Sequence, residues 1–269
     1  MAKKITIANS KGGVGKTTIS SMLGYQLAKE GFKVLMVDID PQSNTTQLFE
    51  NTYYKGETKK FMTIYEGIES GDLTKAIHKA EENLHLIPSS QNTVDFSKLL
   101  TEKSKFTLLK KHIDKIESDY DFIFYDVPPT IFSDFLNNAL TASDYFIILT
   151  ETSNFSFEGI QDFYDTALRI HDNVNPNLDF LGILINMRED DEEINSELDK
   201  KYDFSNAEMF FQTYIPKRKR LAKYMSNGMY KKKRDSVIEY DRWDKEIMKV
   251  FENLSKELLE KVKVEVEVH

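Results

Sequence analysis

Ser10-Lys11-Gly12-Gly13-Val14-Gly15-Lys16-Thr17-Thr18 is the stretch whose reading decides the fold. Before it, an apolar run around Ile5 to Ala8 reads as a strand. After it, Ile19, Met22, Leu23 and Leu27 recur at helical spacing over residues 17 to 30, until Gly31 stops them. A glycine-rich turn between a strand and a helix is the setting of a phosphate-binding loop. Without a Cβ, the glycines let backbone N–H groups turn toward phosphate oxygens, and the start of the helix adds the positive end of its dipole. In such a loop Gly12, Gly13, Val14, Gly15, Lys16, Thr17 and Thr18 cradle the phosphates. Lys16 reaches the β- and γ-phosphates, and the Thr17 hydroxyl ligates Mg²⁺.

Working outward, short apolar runs recur between helix-length stretches. Strands are expected at Lys33 to Asp38, Leu84 to Ile87, Tyr120 to Asp126, Tyr145 to Thr150, Phe180 to Ile185 and Met209 to Tyr214. Such alternation predicts an α/β fold, a P-loop NTPase with a mostly parallel sheet flanked by helices on both faces. Residues 42 to 62 are polar and carry no clear period. Arg188 to Glu193 (REDDEE) reads as a solvated run. Residues 237 to 264 predict one long helix, with Ile247, Val250, Phe251, Leu254, Leu258 and Val262 forming an apolar stripe that packs on the core. With no linker or repeat, residues 1 to 269 are expected to form a single α/β domain.

Composition narrows the function. Cysteine is absent, which excludes disulfides, iron–sulfur clusters, cysteine zinc sites and a cysteine nucleophile. The five histidines lack metal-motif spacing. No signal peptide is expected, and no apolar run approaches the roughly 18 residues that suggest a membrane span. The expected location is the cytoplasm.

Ser10 stands where a phosphate loop usually has its first glycine, and Lys11 adds a second lysine. This KGGVGKTT form resembles the deviant Walker A motif of the ParA/MinD family of ATPases. The resemblance implies that Lys11 reaches across a nucleotide-sandwich homodimer to the partner's ATP. Val37-Asp38-Ile39-Asp40-Pro41-Gln42 resembles the family's switch segment. By position, Asp40 orients or activates the attacking water and joins Thr17 and Asp126 among the expected Mg²⁺ residues, with Asp38 in support. Phe122 to Pro129 (FIFYDVPP) resembles the Walker B strand, which would put Asp126 on Mg²⁺. Leu184-Ile185-Asn186-Met187-Arg188 is similar to the strand end where family members contact adenine, and Thr213-Tyr214-Ile215-Pro216 to the next nucleotide-side loop. Asn186 and Pro216 are therefore expected at the nucleotide, although Asn186 read by itself could equally cap a turn. The resemblance covers Lys3 to about Gly228. With the phosphate loop starting at residue 10, it points to the short, Soj-like ParA type, expected to lack a separate operator-binding domain.

The net charge of −8, from 36 basic and 44 acidic residues, first argues against a nucleic-acid partner. It is an average of unlike parts. Residues 217 to 234 (KRKRLAKYMSNGMYKKKR) hold nine cations and no acidic residue: Lys217, Arg218, Lys219, Arg220, Lys223, Lys231, Lys232, Lys233 and Arg234. The remainder, with 27 basic and 44 acidic residues, carries −17. A phosphate backbone is the natural partner of such a segment, and the resemblance implies nonspecific DNA binding by an ATP dimer at the nucleoid. It also implies ATP hydrolysis for DNA segregation, stimulated by a centromere-binding partner. The alternatives are a MinD-like ATPase whose last helix binds lipid, and a DNA-binding scaffold that holds ATP without turning it over. Membrane binding is disfavoured because Lys249, Lys256 and Lys261 mix with Glu252, Glu257 and Glu260 on the polar face of that helix.

Overall fold

The computed structural model describes residues 1–9, 12–54, 61–130, 133–152, 157–189, 206–229, 233–234, 237–238 and 242–263. Seven strands form one sheet: β1 (Lys3–Ala8), β2 (Val34–Asp38), β3 (His78–Lys79), β4 (Leu84–Ile87), β5 (Phe122–Asp126), β6 (Tyr145–Glu151) and β7 (Asp179–Asn186), in the order β3-β4-β2-β5-β1-β6-β7. All neighbours pair parallel except β3 with β4. The expected α/β architecture, a mostly parallel sheet flanked by helices, is what the chain adopts.

The central strands read as unbroken apolar runs because both faces are covered. Alternate residues feed two separate cores. On one side lie Ile5, Ile7, Met36, Phe122, Phe124, Ile147 and Leu149, under α1 (Lys16–Lys29) and, further along the chain, the helix Arg242–Lys261. On the other lie Leu35, Val37, Ile123, Tyr125, Phe146 and Ile148, together with residues of α3 (Ile64–Glu69), α4 (Leu108–Ile113), α5 (Asp134–Ala142) and α6 (Phe157–Asn173). In β7 the alternation slips. Leu181 and Leu184 face one core while Ile183 and Ile185 face the other, because the register shifts opposite Phe146 and Ile147 at Gly182, whose φ is 133°.

Residues 42 to 62, unassigned in the sequence, contain α2 (Asn44–Tyr53), which buries Thr45, Thr46, Leu48 and Phe49. Met209 to Tyr214 is not a regular strand. It runs beside β7 through isolated bridges only, Ile183 with Phe210 and, further on, Arg188 with Pro216. The physical reason is a competing acceptor. The backbone N–H groups of Gln212 and Thr213 donate to the Glu257 carboxylate at 2.6 and 2.8 Å, which takes them out of the ladder. Nor does the last helix begin at residue 237. β8 (Lys233–Arg234) pairs with β9 (Val237–Ile238) as a short antiparallel ribbon, and the helix spans Arg242–Lys261. Its expected stripe does pack inward: Ile247, Phe251, Leu254, Leu258 and Val262 are buried in the core beside α1, with Val250 packed against them. No helix among the described residues is long and apolar enough to cross a membrane.

Two four-residue helices, α7 (Lys219–Ala222) and α8 (Tyr224–Asn227), precede the last helix, α9 (Arg242–Lys261). They lean on α2. Asn51 Nδ2 donates to the Met225 carbonyl at 2.8 Å, and the Met229 N–H donates to Thr52 Oγ1 at 3.1 Å. Gly228 makes this approach possible. Its φ is 79°, and a Cβ there would lie 2.8 Å from the Asn51 carbonyl oxygen and 3.0 Å from Thr52 Cα. Gly228→Ala is expected to cost about 2–4 kcal/mol, from left-handed backbone strain plus overlap with backbone atoms. Urea unfolding checks this, and an unchanged midpoint would contradict the docking.

Candidate functional site

The parallel sheet brings the ends of β1, β2 and β5 to one edge. The chain lays β2 to β5 on one side of β1 and β6 and β7 on the other. Ligands of open α/β sheets bind at such a switch point, outside the carboxyl ends of the strands. The phosphate loop emerges there. Gly13 and Gly15 hold φ of 81° and 86°, a region other residues rarely enter. Gly15 is the N-cap of α1 and supplies no capping side chain, and the first turn contains no acidic residue, so no carboxylate of that turn offsets the positive end of the helix dipole. A Cβ on Gly15 would sit 2.7 Å from Asn186 Nδ2. That amide nitrogen donates to the Val14 carbonyl at 2.7 Å and ties the loop to the end of β7.

Behind the loop stands a group of buried charges. Asp126, at the end of β5, is 1% exposed, and its Oδ2 accepts from Thr17 Oγ1 at 2.8 Å and from Thr45 Oγ1 at 2.7 Å. Asp38 is fully buried in register with it on β2. Asp38 accepts from the N–H of Thr46 at 2.9 Å, from the Thr46 hydroxyl at 2.8 Å and from the Asp40 N–H at 3.1 Å. Asp40 turns back through Oδ1 to the Gln42 N–H at 2.9 Å and lines the cavity described below. Burial raises the pKa of Asp126, against the pull of the Thr45 and Thr17 hydrogen bonds and Lys16. Burial and the nearby Asp126 charge push Asp38 well above the carboxylate range. Burial lowers Lys16, while Asp126 and Asp40 hold it up. Two carboxylates, Asp126 and Asp40, thus act on the buried Lys16 at the start of α1, and Asp38 stands beside Asp126 on the next strand. A hard divalent cation takes oxygen ligands of this kind, and the Thr17 hydroxyl and the Asp126 carboxylate are groups that could hold one.

A cavity of about 490 Å³ opens over the loop. Its floor is Gly12 to Ile19, its sides are Asp40, Asn44, Val127, Pro129, Asn186 and Met187, and its far wall is Lys217, Arg218, Lys219, Leu221, Ala222 and Met225. The expected loop residues from Gly12 to Thr18 and Asp40 therefore meet around one space. Asp126 does not line it but reaches it through the Thr17 hydroxyl. Asn186 lines it with its amide nitrogen already engaged by the loop. Pro216 lies off it, in a neighbouring recess with Ile215, Leu221, Ile247 and Phe251. Lys11 falls outside the described residues. Sequence reasoning missed Thr45 and Thr46, whose signal was only that they follow the Asp-Pro-Gln turn at a helix start. It also missed the α7–α8 wall.

The basic segment divides. Lys217, Arg218 and Lys219 face the cavity, and Lys217 pairs with Glu189. Of the run Arg188 to Glu193, expected to be solvated, the first two residues are described. Both are half-buried, and the Arg188 guanidinium lies 4.5 Å from the Tyr214 ring centre, while residues 190 to 193 lie outside the described residues. Arg220 is turned inward onto Asp244. Lys223 is exposed. Lys231 and Lys232 lie outside the described residues, and Lys233 and Arg234 are described as backbone in β8. Tyr224 is buried, so it offers no ring to a base.

A family model described as "AAA domain" matches residues 2–180. The sporulation initiation inhibitor protein Soj of Bacillus subtilis (strain 168) is 31% identical over 229 residues, 85% of this chain and 89% of that protein. The chromosome-partitioning ATPase Soj of Treponema pallidum is 31% identical over 239 residues, 85% of this chain and 88% of that one. Among solved structures, a plasmid partition protein of Borrelia burgdorferi B31 bound to AMPPNP superposes with a TM-score of 0.77 at 27% identity, covering 97% of this chain and all of that one. Matched along most of its length by these proteins, and carrying the phosphate loop and the buried Asp126 at the edge of its sheet, the chain belongs to the ParA/MinD-like family of P-loop ATPases.

Proposed function

We propose that this chain is a Mg²⁺-dependent ATPase of the Soj-like partition type, acting as a single domain that dimerises on ATP, binds nonspecific DNA and is released by hydrolysis. The observation that carries the reading is the Thr17–Asp126 hydrogen bond beside Lys16 and Asp40, at the rim of a nucleotide-sized cavity. The uncapped amides of α1 hold the phosphates, and Lys16 neutralises charge on the transferring group. Mg²⁺, held by Thr17 and Asp126, would supply further positive charge at the phosphate oxygens. Asp40 faces the cavity and orients the attacking water. Lys11 acts in the partner's site, as the family resemblance implies. No residue serves as a covalent nucleophile, because positioning and charge stabilisation are enough for this transfer.

The DNA reading rests on the cations from Lys223 onward rather than on the whole run, since Lys217 to Arg220 face the cavity or Asp244. Dimerisation brings two such patches together, so engagement of one raises the effective concentration of the other. That links ATP to DNA affinity without a new contact. The printed names of the Treponema and Borrelia relatives support a partition role, with either a chromosome or a plasmid as cargo. A centromere-binding protein is the expected activator. In the MinD-like alternative the stripe of α9 would have to meet lipid, and that stripe is packed against α1.

Three outcomes test this reading. Lys16→Ala is expected to weaken ATP binding roughly 10- to 100-fold, the loss of a charge-assisted contact. Calorimetry reads it, and wild-type affinity would overturn the loop assignment. Asp40→Ala is expected to keep ATP-dependent dimerisation in size-exclusion chromatography while kcat falls by about 100-fold or more. Wild-type turnover would remove Asp40 from the mechanism. Neutralising Lys231, Lys232, Lys233 and Arg234 together is expected to weaken binding to arbitrary duplex DNA and lower its salt slope by roughly 0.9 per lost phosphate contact. If a salt titration shows both unchanged, DNA is not the partner of this segment.

A further inference from the structure

Arg220, Tyr224 and Asp244 form a cluster that the proposed chemistry leaves unused. Asp244, in the first turn of α9, is 1% exposed, and both of its oxygens are engaged. Arg220 donates from Nε to Oδ1 at 2.8 Å and from Nη2 to Oδ2 at 2.7 Å, and the Tyr224 hydroxyl donates to Oδ1 at 2.9 Å. A paired fork of this kind fixes orientation as well as distance. Its net contribution to stability is small by comparison, because desolvating both ions offsets most of their attraction.

What the fork orients is the far wall of the cavity. Leu221, Ala222 and Met225 line that wall from α7 and α8. Each helix is four residues long and has no side-chain cap hydrogen bond. Helices this short do not hold themselves in water. Their position comes from what they are tied to. On one side α2 holds the Met225 carbonyl and the Met229 N–H through Asn51 and Thr52. On the other, Asp244 holds Arg220 and Tyr224.

We infer that Asp244 is a positioning residue for the nucleotide site: through Arg220 and Tyr224 it seats the α7–α8 wall over the cavity and so sets nucleotide affinity without touching the ligand. The inference deepens the nucleotide-binding reading and rests on it. It also explains why one arginine of a basic run turns inward.

The test measures Mg²⁺–AMPPNP and ADP binding by calorimetry, together with Tm, for the full chain and three variants. Asp244→Asn is expected to lower Tm and weaken both nucleotides by about tenfold, the usual scale for losing an orienting partner behind a ligand site. The double variant Arg220→Met/Asp244→Leu replaces the pair with apolar side chains and is expected to recover most of the Tm. Its affinity is expected to stay about tenfold weak, because the fork that orients the wall is not restored. Tyr224→Phe removes one hydrogen bond and keeps the ion pair. With Tm close to wild type, it is expected to bind both nucleotides about threefold more weakly, and it carries the test alone if the double variant folds poorly. Affinity that returns in step with Tm in the double variant, or wild-type affinity in Asp244→Asn or Tyr224→Phe, would overturn the inference while leaving the nucleotide site in place. A wild-type protein that binds neither nucleotide would overturn the functional reading and the inference with it.

Discussion

Asp126 stands at the end of a strand covered on both faces, and its charge has to be answered from within the protein. Two threonines from different elements do so: Thr17 from the first turn of α1 and Thr45 from the first turn of α2. Both donate to the same oxygen, so the phosphate loop and the segment after β2 meet at one atom. Asp38 repeats the arrangement one strand over, with Thr46 as its donor. The Thr46 hydroxyl in turn accepts from the Ser89 N–H at 2.9 Å, which draws in the end of β4. Buried carboxylates thus organise the strand ends around the loop, and their cost without hydrogen bonds or counter-charge is what demands this precision.

The same helix that answers Asp126 and Asp38 at one end docks the basic segment at the other. Thr45 and Thr46 open α2, and Asn51 and Thr52 close it on Met225 and Met229. The cavity is therefore bounded by elements far apart in sequence: the loop near residue 15, the turn near 40, the strand ends near 127 and 187, and the wall from 217 to 225. That wall has little structure of its own and is suspended between α2 and α9. Charge follows the same logic. Of the first five cations of the basic run, Lys217, Arg218 and Lys219 line the cavity, Arg220 is held by the buried Asp244, and Lys223 is exposed.

Much of this was legible in advance. Strands buried on both faces read as apolar runs because nothing polar is needed on either side, and Lys33 to Asp38 and Tyr145 to Thr150 lie within a residue of where β2 and β6 run. The loop was legible because its glycines and lysine answer local geometry. Other elements were hidden by partners far away in the chain. The strand expected at Met209 to Tyr214 is broken up by Glu257, more than 40 residues on. Asn186, expected at the nucleotide, lines the cavity and also donates its amide to Val14, 172 residues back, a tie the sequence does not show. Arg220 counted as one more exposed cation until Asp244, 24 residues away, proved to hold it.

By itself, then, the amino-acid sequence determined the elements and chemistry that depend on neighbours a few residues apart: strand and helix periods, the phosphate loop, and carboxylates placed at strand ends. Tertiary structure alone decided which threonines answer the buried carboxylates, where the far wall of the cavity sits, and that Arg220 of the basic run turns inward onto Asp244. The division has a physical cause. Backbone conformation and apolar period are local properties of the chain, whereas the cost of burying a charge depends on whatever group the fold happens to bring beside it.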